Sequence, residues 1–157
     1  MDIKIFIFRL ACALVAGVLI GAQRELRNHQ AGLTTNALVA VGACIFILIS
    51  ESVIMRAMAS GGPVNNDNLR VLSQVVTGIG FLGAGVIMKN GLTIHGLTSA
   101  ATIWCSAAVG CLCGYGMWAE ALIAVGVILL VNWGLKGIEI MLKRRSCPPA
   151  DEADKQQ

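Results

Sequence analysis

The chain has 157 residues, of which 56% are hydrophobic and only 13% are charged, and its mean hydropathy is +0.74. Soluble domains carry about 25% charged residues, so this composition excludes an ordinary soluble globular domain. The formal net charge of +3 is too small to indicate nucleic-acid binding. Aromatic residues contribute only 5%, so the apolar character comes from small and aliphatic residues, which suit helices packed closely in lipid.

Five apolar segments predict an all-α membrane protein, a bundle of about five transmembrane helices. A helix needs about 20 apolar residues to cross a bilayer, and each segment is close to that length. The polar loop between the second and third segments contains Gly-Gly-Pro and Asn-Asn-Asp, whose backbone groups could not be satisfied in hydrocarbon. The segments run from Ile3 to Ala22, from Asn36 to Met55, from Val71 to Met88, from Leu97 to Cys113 and from Met117 to Lys136.

The domain organisation and orientation follow from the polar residues. We expect residues 1–145 to form one transmembrane domain and residues 146–157 a disordered cytoplasmic tail, because the tail is Pro-Pro followed by charged and amide residues. Lys and Arg are enriched on the cytoplasmic side of membrane proteins. Counting them predicts the N-terminus outside and the C-terminus in the cytoplasm, by seven residues (Arg24, Arg27, Lys89, Lys136, Lys143, Arg144 and Arg145) against three (Lys4, Arg56 and Arg70).

Helical periodicity predicts a protein-facing stripe on the first helix. At 100° per residue, the stripe contains Arg9, Ala13, Gly17, Gly21 and Arg24. Ala13, Gly17 and Gly21 are spaced so that another backbone can approach closely. Arg9 should therefore face protein, since an unpaired charge in lipid is costly.

The third and fourth helices carry further small residues. In the third, Gly78 and Gly85 lie on one face and Gly80 and Gly83 roughly opposite, which predicts a helix sandwiched between neighbours at the centre of the bundle. In the fourth, small and hydroxyl residues form one stripe, with Trp104 far round from it. Such stripes are more commonly packing surfaces than transport paths, and both interpretations stay open. The stripe is Ser99, Thr102, Ser106, Gly110 and Cys113.

No catalytic constellation is present in the sequence. The only histidines are His29 and His95, and the glycine pattern of the third helix lacks the βαβ context of a dinucleotide site. The cysteines form no CxxC pair and are interpreted as packing residues. We therefore expect a non-enzyme with no cofactor and no metal site. Glu51 and Glu120 lie near the outer helix ends, either as solvated acids or as a cation-attracting mouth with Asp67.

Three stretches together resemble the MgtC/SapB family: GAQRELRNHQAGLTTNALVAVGACIFIL at 21–48, QVVTGIGFLGAGVIM at 74–88 and HGLTSAATIWCSAAVG at 95–110. The resemblance implies a multi-pass protein of the bacterial inner membrane with a cytoplasmic C-terminus. It also implies growth under low magnesium, survival inside phagocytes and virulence. Family members resemble modulators of other membrane systems, with F-type ATP synthase as a candidate partner.

The sequence departs from the family pattern in the first loop. It has Gln23 where the family typically has Glu, and Thr34 where the family typically has Arg. If those two groups normally pair, losing both leaves no uncompensated charge, so Gln23→Glu with Thr34→Arg should be tolerated better than either change alone. Longer members also carry a soluble cytoplasmic C-terminal domain.

The leading hypothesis is a non-enzymatic regulator that binds another inner-membrane protein through helix faces and loops. Its other expected partners are membrane lipid and further copies of the same chain, in a homo-oligomer. The alternative is a transporter or channel for magnesium or another small solute, and a third hypothesis is an assembly factor. The residues expected to make the contacts are Arg9, Gln23, Arg24, Glu25, Gly32, Thr34, Gly78, Gly80, Gly83, Gly85, Thr98 and Trp104.

Overall fold

The computed structural model describes residues 2–60 and 68–146, and for residue 68 and residues 135–146 it describes the helical backbone alone. These ranges form five α-helices and one two-stranded sheet. The helices are α1 (Ile3–Glu25), α2 (Leu33–Ala59), α3 (Asn68–Val86), α4 (Leu97–Tyr115) and α5 (Trp118–Ser146), and the strands β1 (Met88–Asn90) and β2 (Thr93–His95) lie between α3 and α4.

The predicted all-α membrane fold is confirmed. α1, α2, α4 and the Leu69–Val86 segment of α3 are each long and apolar enough to cross a bilayer. α5 begins with a shorter apolar segment, Trp118–Gly134, and continues as a helix to Ser146. The orientation of the termini stays a prediction, as does the division at residue 145, and residues 147–157 lie outside the described part of the chain.

α2 and α4 form the centre of the bundle, and glycines bring their backbones together. A Cβ on Gly110 of α4 would overlap the carbonyl oxygen of Ala40. α1 approaches α2 in the same way, since a Cβ on Gly17 would lie 2.7 Å from the Cα of Ala37. The predicted stripe of α1 is confirmed, because its members are buried except for Arg9, which is half-buried.

The predicted central position of α3 is wrong. Gly78, Gly80 and Gly85 are exposed, and a Cβ on any of them would meet nothing within 4 Å. Only Gly83 packs on a neighbouring helix, where a Cβ would lie 3.7 Å from the Cβ of Ala100 in α4. Glycine on two faces of a helix leaves space that either lipid or protein can fill. In α3 most of these glycines point away from the other helices of the chain.

A β-hairpin occupies the connection that the sequence indicated as a short loop. Its register pairs Met88 with His95 and Asn90 with Thr93. Gly96 then begins α4 with a φ of +89°, and a Cβ there would overlap the carbonyl oxygen of Val86. Only glycine tolerates both the left-handed backbone and this close approach. Gly96 therefore lets the chain after the hairpin pack against the C-terminal end of α3.

Candidate functional site

The buried guanidinium of Arg24 joins three parts of the fold. Arg24 lies in the last turn of α1 and is only 3% exposed. Its Nε donates to the carbonyl oxygen of Ala31 at 3.2 Å, in the loop that leads to α2. Its two terminal nitrogens donate to the hydroxyl oxygens of Ser99 at 2.5 Å and Thr102 at 3.1 Å, both on α4. The side chain therefore holds α1, the first loop and α4 together.

Asn36 of α2 extends this arrangement. Its Nδ2 donates to the carbonyl oxygens of Ala31 at 3.1 Å and Gly32 at 2.8 Å, and its Oδ1 accepts from the hydroxyl of Ser106 at 2.8 Å. We call this set the polar cluster; its members are Arg24, Asn36, Ser99, Thr102 and Ser106, and all five are buried. In a low-dielectric interior, hydrogen bonds of this kind are strengthened and rigidify the packing around them.

The positive charge of Arg24 is stabilised by neutral oxygens. Among the described residues, no carboxylate forms an ion pair with it. The neighbouring acid, Glu25, instead accepts from the backbone N–H of Leu33 at 3.1 Å and so caps the start of α2. Gly32 is the N-cap of that helix, and a Cβ there would overlap the Glu25 carboxylate. Glu25 and Gly32 are thus parts of the turn between α1 and α2.

Arg9 makes a second interior contact near the opposite ends of the helices. Its guanidinium pairs with Glu51 of α2 and donates to the carbonyl oxygen of Gly114 in α4 at 2.8 Å. The side chains of Arg9 and Glu51 are 15% and 29% exposed. The prediction that Arg9 faces protein is confirmed. Since Glu51 is paired with Arg9, it does not contribute a free acid to the hypothetical cation-attracting mouth. Glu120 is exposed, and Asp67 lies outside the described residues.

Gln23 lies at the contact between α1 and α5. Its Nε2 donates to the carbonyl oxygen of Leu129 at 3.2 Å, and one turn later Arg27 donates to the carbonyl oxygen of Asn132 at 3.2 Å. Thr34, the other departure from the family pattern, is exposed in the first turn of α2. No described hydrogen bond joins Gln23 to Thr34, so their proposed coupling stays a prediction.

The remaining predicted contact residues lie on the surface. Thr98 is exposed in the first turn of α4, where its carbonyl oxygen accepts from Thr102 at 2.8 Å. Trp104 is 51% exposed on the outer side of α4. The hydroxyl stripe of α4 is buried, and its hydroxyl residues Ser99, Thr102 and Ser106 belong to the polar cluster, which favours the packing interpretation over a transport path. His95 lies in β2, outside that stripe.

Within the described ranges no group of three or more His, Cys, Asp or Glu side chains could hold a metal ion. Cys12, Cys44, Cys105, Cys111 and Cys113 are all free thiols. The arrangement as a whole provides packing and hydrogen bonding.

Asn36 and the pairing of Arg9 with Glu51 are the features that sequence reasoning missed. Asn36 begins a stretch of α2 that is otherwise apolar as far as Ile49, and an uncharged amide facing a helical interior is a signal for a hydrogen-bond partner. Glu51 falls near the end of its helix, so its position alone favours solvation as much as pairing. The partner is visible only when α1 and α2 are placed side by side.

A model of the MgtC family matches residues 10–141. The chain belongs to the MgtC family. It is similar to Protein MgtC of Salmonella paratyphi A, with 45% identity over 150 residues, which cover 96% of this chain and 60% of that protein. Protein MgtC of Brucella abortus is 49% identical over 123 residues, covering 78% of this chain and 48% of that protein.

An uncharacterized protein of Synechocystis is 41% identical over 141 residues, which cover 88% of this chain and 56% of that protein. The chain therefore spans about half to three-fifths of the length of these relatives. No solved structure matches the chain.

Proposed function

We propose that this MgtC-family chain is a non-enzymatic regulator in the bacterial inner membrane, with its C-terminus in the cytoplasm. It binds another membrane protein through helix contacts, with F-type ATP synthase as the candidate partner. The binding supports growth when magnesium is scarce and survival inside host cells. Membership of the MgtC family supports the setting, and the surface of α3 supports the mode of action.

The observation that carries the proposal is a face of α3 covered only by small residues. Ser73, Thr77, Gly80 and Ala84 are all exposed, and at 100° per residue they fall within an arc of about 60°. The hydroxyls of Ser73 and Thr77 donate to backbone carbonyl oxygens of α3 itself, at 2.8 and 2.9 Å, so their protons are already bonded within the helix. We call these four residues the small face.

A small face of this kind favours helix association in lipid. Transmembrane helices associate through van der Waals packing, and small residues let the two backbones approach closely. Since a Cβ on Gly80 would meet nothing within 4 Å, the face is open to a helix from another protein. Gly83, by contrast, faces α4, so enlarging Gly83 would disturb this chain's own packing.

Magnesium or solute transport is the competing function. The polar residues inside the bundle are the feature that would support it. Their hydrogen bonds are made to one another and to the backbone, as for Asn36 with Ser106 and Arg24 with Ser99. A hydrated divalent cation requires several oxygen ligands, commonly carboxylates, and the acid that faces the interior, Glu51, is paired with Arg9.

The test is affinity purification from native membranes of magnesium-starved cells. The wild type should retain a specific membrane-protein partner, and the proposal expects subunits of F-type ATP synthase. Gly80→Leu should lose it, because the leucine side chain would project from the small face. Gly126→Leu is the matched control, since Gly126 is an exposed glycine on α5 with equally open space.

Partner retention by Gly80→Leu would refute the small face as the contact surface. The absence of any partner from the wild type would refute the regulatory function itself.

A further inference from the structure

A groove of 710 Å³ lies between α2 and α3, on a different side of α3 from the small face. Gly42 of α2 and Gly78 of α3 both line it, and a Cβ on either would meet nothing within 4 Å. Gly78 lies about 160° round the helix from Gly80. The two missing side chains widen the groove where the helices would otherwise fill it.

The polarity of the groove changes along its length. Arg70 and Gln74 line one end, and the residues farther along α3 are apolar or glycine as far as Leu82. Arg70 lies in the first turn of α3, at the boundary of the apolar span. From Arg70 to Leu82 the helix rises about 18 Å, which is close to one leaflet of a hydrocarbon core about 30 Å thick.

We propose that this groove binds one anionic phospholipid. The phosphate pairs with the Arg70 guanidinium, an ester carbonyl of the glycerol backbone accepts from the Gln74 amide, and an acyl chain lies along Gly78 and Gly42. A basic side chain at the membrane boundary attracts an anionic headgroup. The order of groups in the groove, charged then polar then apolar, is the order of groups along the lipid.

The lining of the groove favours a lipid over a helix. Arg70 at one end complements a phosphate, and the apolar and glycine residues beyond Gln74 suit an acyl chain.

The test uses native mass spectrometry of the purified, delipidated protein in detergent with phosphatidylglycerol or phosphatidylcholine added. The wild type should bind a single phosphatidylglycerol more tightly than phosphatidylcholine. Arg70→Gln should weaken phosphatidylglycerol binding about fivefold, since one basic residue near an anionic surface is worth about 1 kcal/mol. It should leave phosphatidylcholine binding unchanged.

Two further variants separate this site from general attraction. Arg56→Gln removes an exposed charge near the end of α2 and should leave the lipid preference intact. Gly78→Leu fills the groove and should remove the bound lipid, whereas Gly126→Leu should retain it. Size-exclusion chromatography confirms that each variant remains folded.

Equal binding of the two lipids by the wild type would overturn the proposal. An equal loss in Arg56→Gln and Arg70→Gln would do the same, because the attraction would then be general. A dimer that is lost on Gly78→Leu would assign the groove to a second copy of the chain. These outcomes are independent of partner capture through Gly80, so the lipid site and the proposed regulatory function can fail separately.

Discussion

Removing the two hydroxyls that face Arg24 should destabilise the protein more than removing Arg24 together with them. In the Ser99→Ala, Thr102→Ala variant the guanidinium remains buried at 3% exposure. It loses acceptors at 2.5 and 3.1 Å and keeps the carbonyl oxygen of Ala31. Water cannot easily replace them, because the helices close around the side chain.

The magnitude follows from the hydrogen bonds that are lost. A hydrogen bond to a charged group contributes about 1.5–3 kcal/mol, so two of them give about 3–6 kcal/mol. Neutral hydrogen bonds between membrane helices average only about 0.6 kcal/mol, which sets a floor near 1 kcal/mol for the pair. We expect a loss of at least 3 kcal/mol in the free energy of unfolding, because the stranded group is charged.

The assay is unfolding in mixed micelles at increasing SDS fraction, followed by circular dichroism. Adding Arg24→Met to the two alanine changes should restore at least half of the lost stability, because an apolar side chain needs no acceptor. Ser73→Ala is the matched control, since the Ser73 hydroxyl is exposed and donates to its own helix. If the triple variant is no more stable than the double variant, the guanidinium is not a buried charge held by those hydroxyls, and the reasoning is refuted.

Three further predictions concern the rest of the fold. Glu51→Leu should lower the free energy of unfolding by about 2–3 kcal/mol. This is less than the loss of about 3–5 kcal/mol for a fully buried pair, because Glu51 is 29% exposed. Adding Arg9→Met should recover most of the lost stability, and no recovery would contradict the pairing. Gly110→Ala should cost about 3 kcal/mol or more by overpacking, whereas Gly42→Ala should change stability by less than about 1 kcal/mol; equal effects in the same micelle titration would contradict the close approach at Gly110. A fluorescent protein fused to the C-terminus should fluoresce and an alkaline phosphatase fused there should be inactive, and the reverse pattern would overturn the cytoplasmic C-terminus.

Local patterns were sufficient to predict the helices and the buried face of α1. Helical spacing places Gly17, Gly21 and Arg24 on one side whatever the neighbours are, so the stripe could be predicted from the sequence. The partners could not, because Ser99 is 75 positions from Arg24 and no local pattern links them. Periodicity identifies which side of a helix is buried. The packing of the other helices determines which residues that side contacts.

The error on α3 has a physical cause. Glycine adds no side chain, so Gly78 and Gly80 predict only that space exists beside the helix. Whether lipid or protein fills that space depends on the bundle outside the helix. The hairpin, in contrast, had an available signal in Gly91, since the register leaves Gly91 and Leu92 as the two loop residues and one of the common two-residue hairpin turns takes Gly at the first loop position. Gly91 adopts a φ of +62° there.

Magnesium uptake into vesicles that contain only the purified protein tests most directly whether the chain acts through its outer faces. The polar cluster is bonded within itself and to the backbone, and Glu51 is paired with Arg9, so the account predicts no uptake above that of protein-free vesicles. An entrapped fluorescent magnesium indicator provides the readout. Saturable uptake that is lost in Asn36→Leu would contradict the account and establish the interior as a transport path.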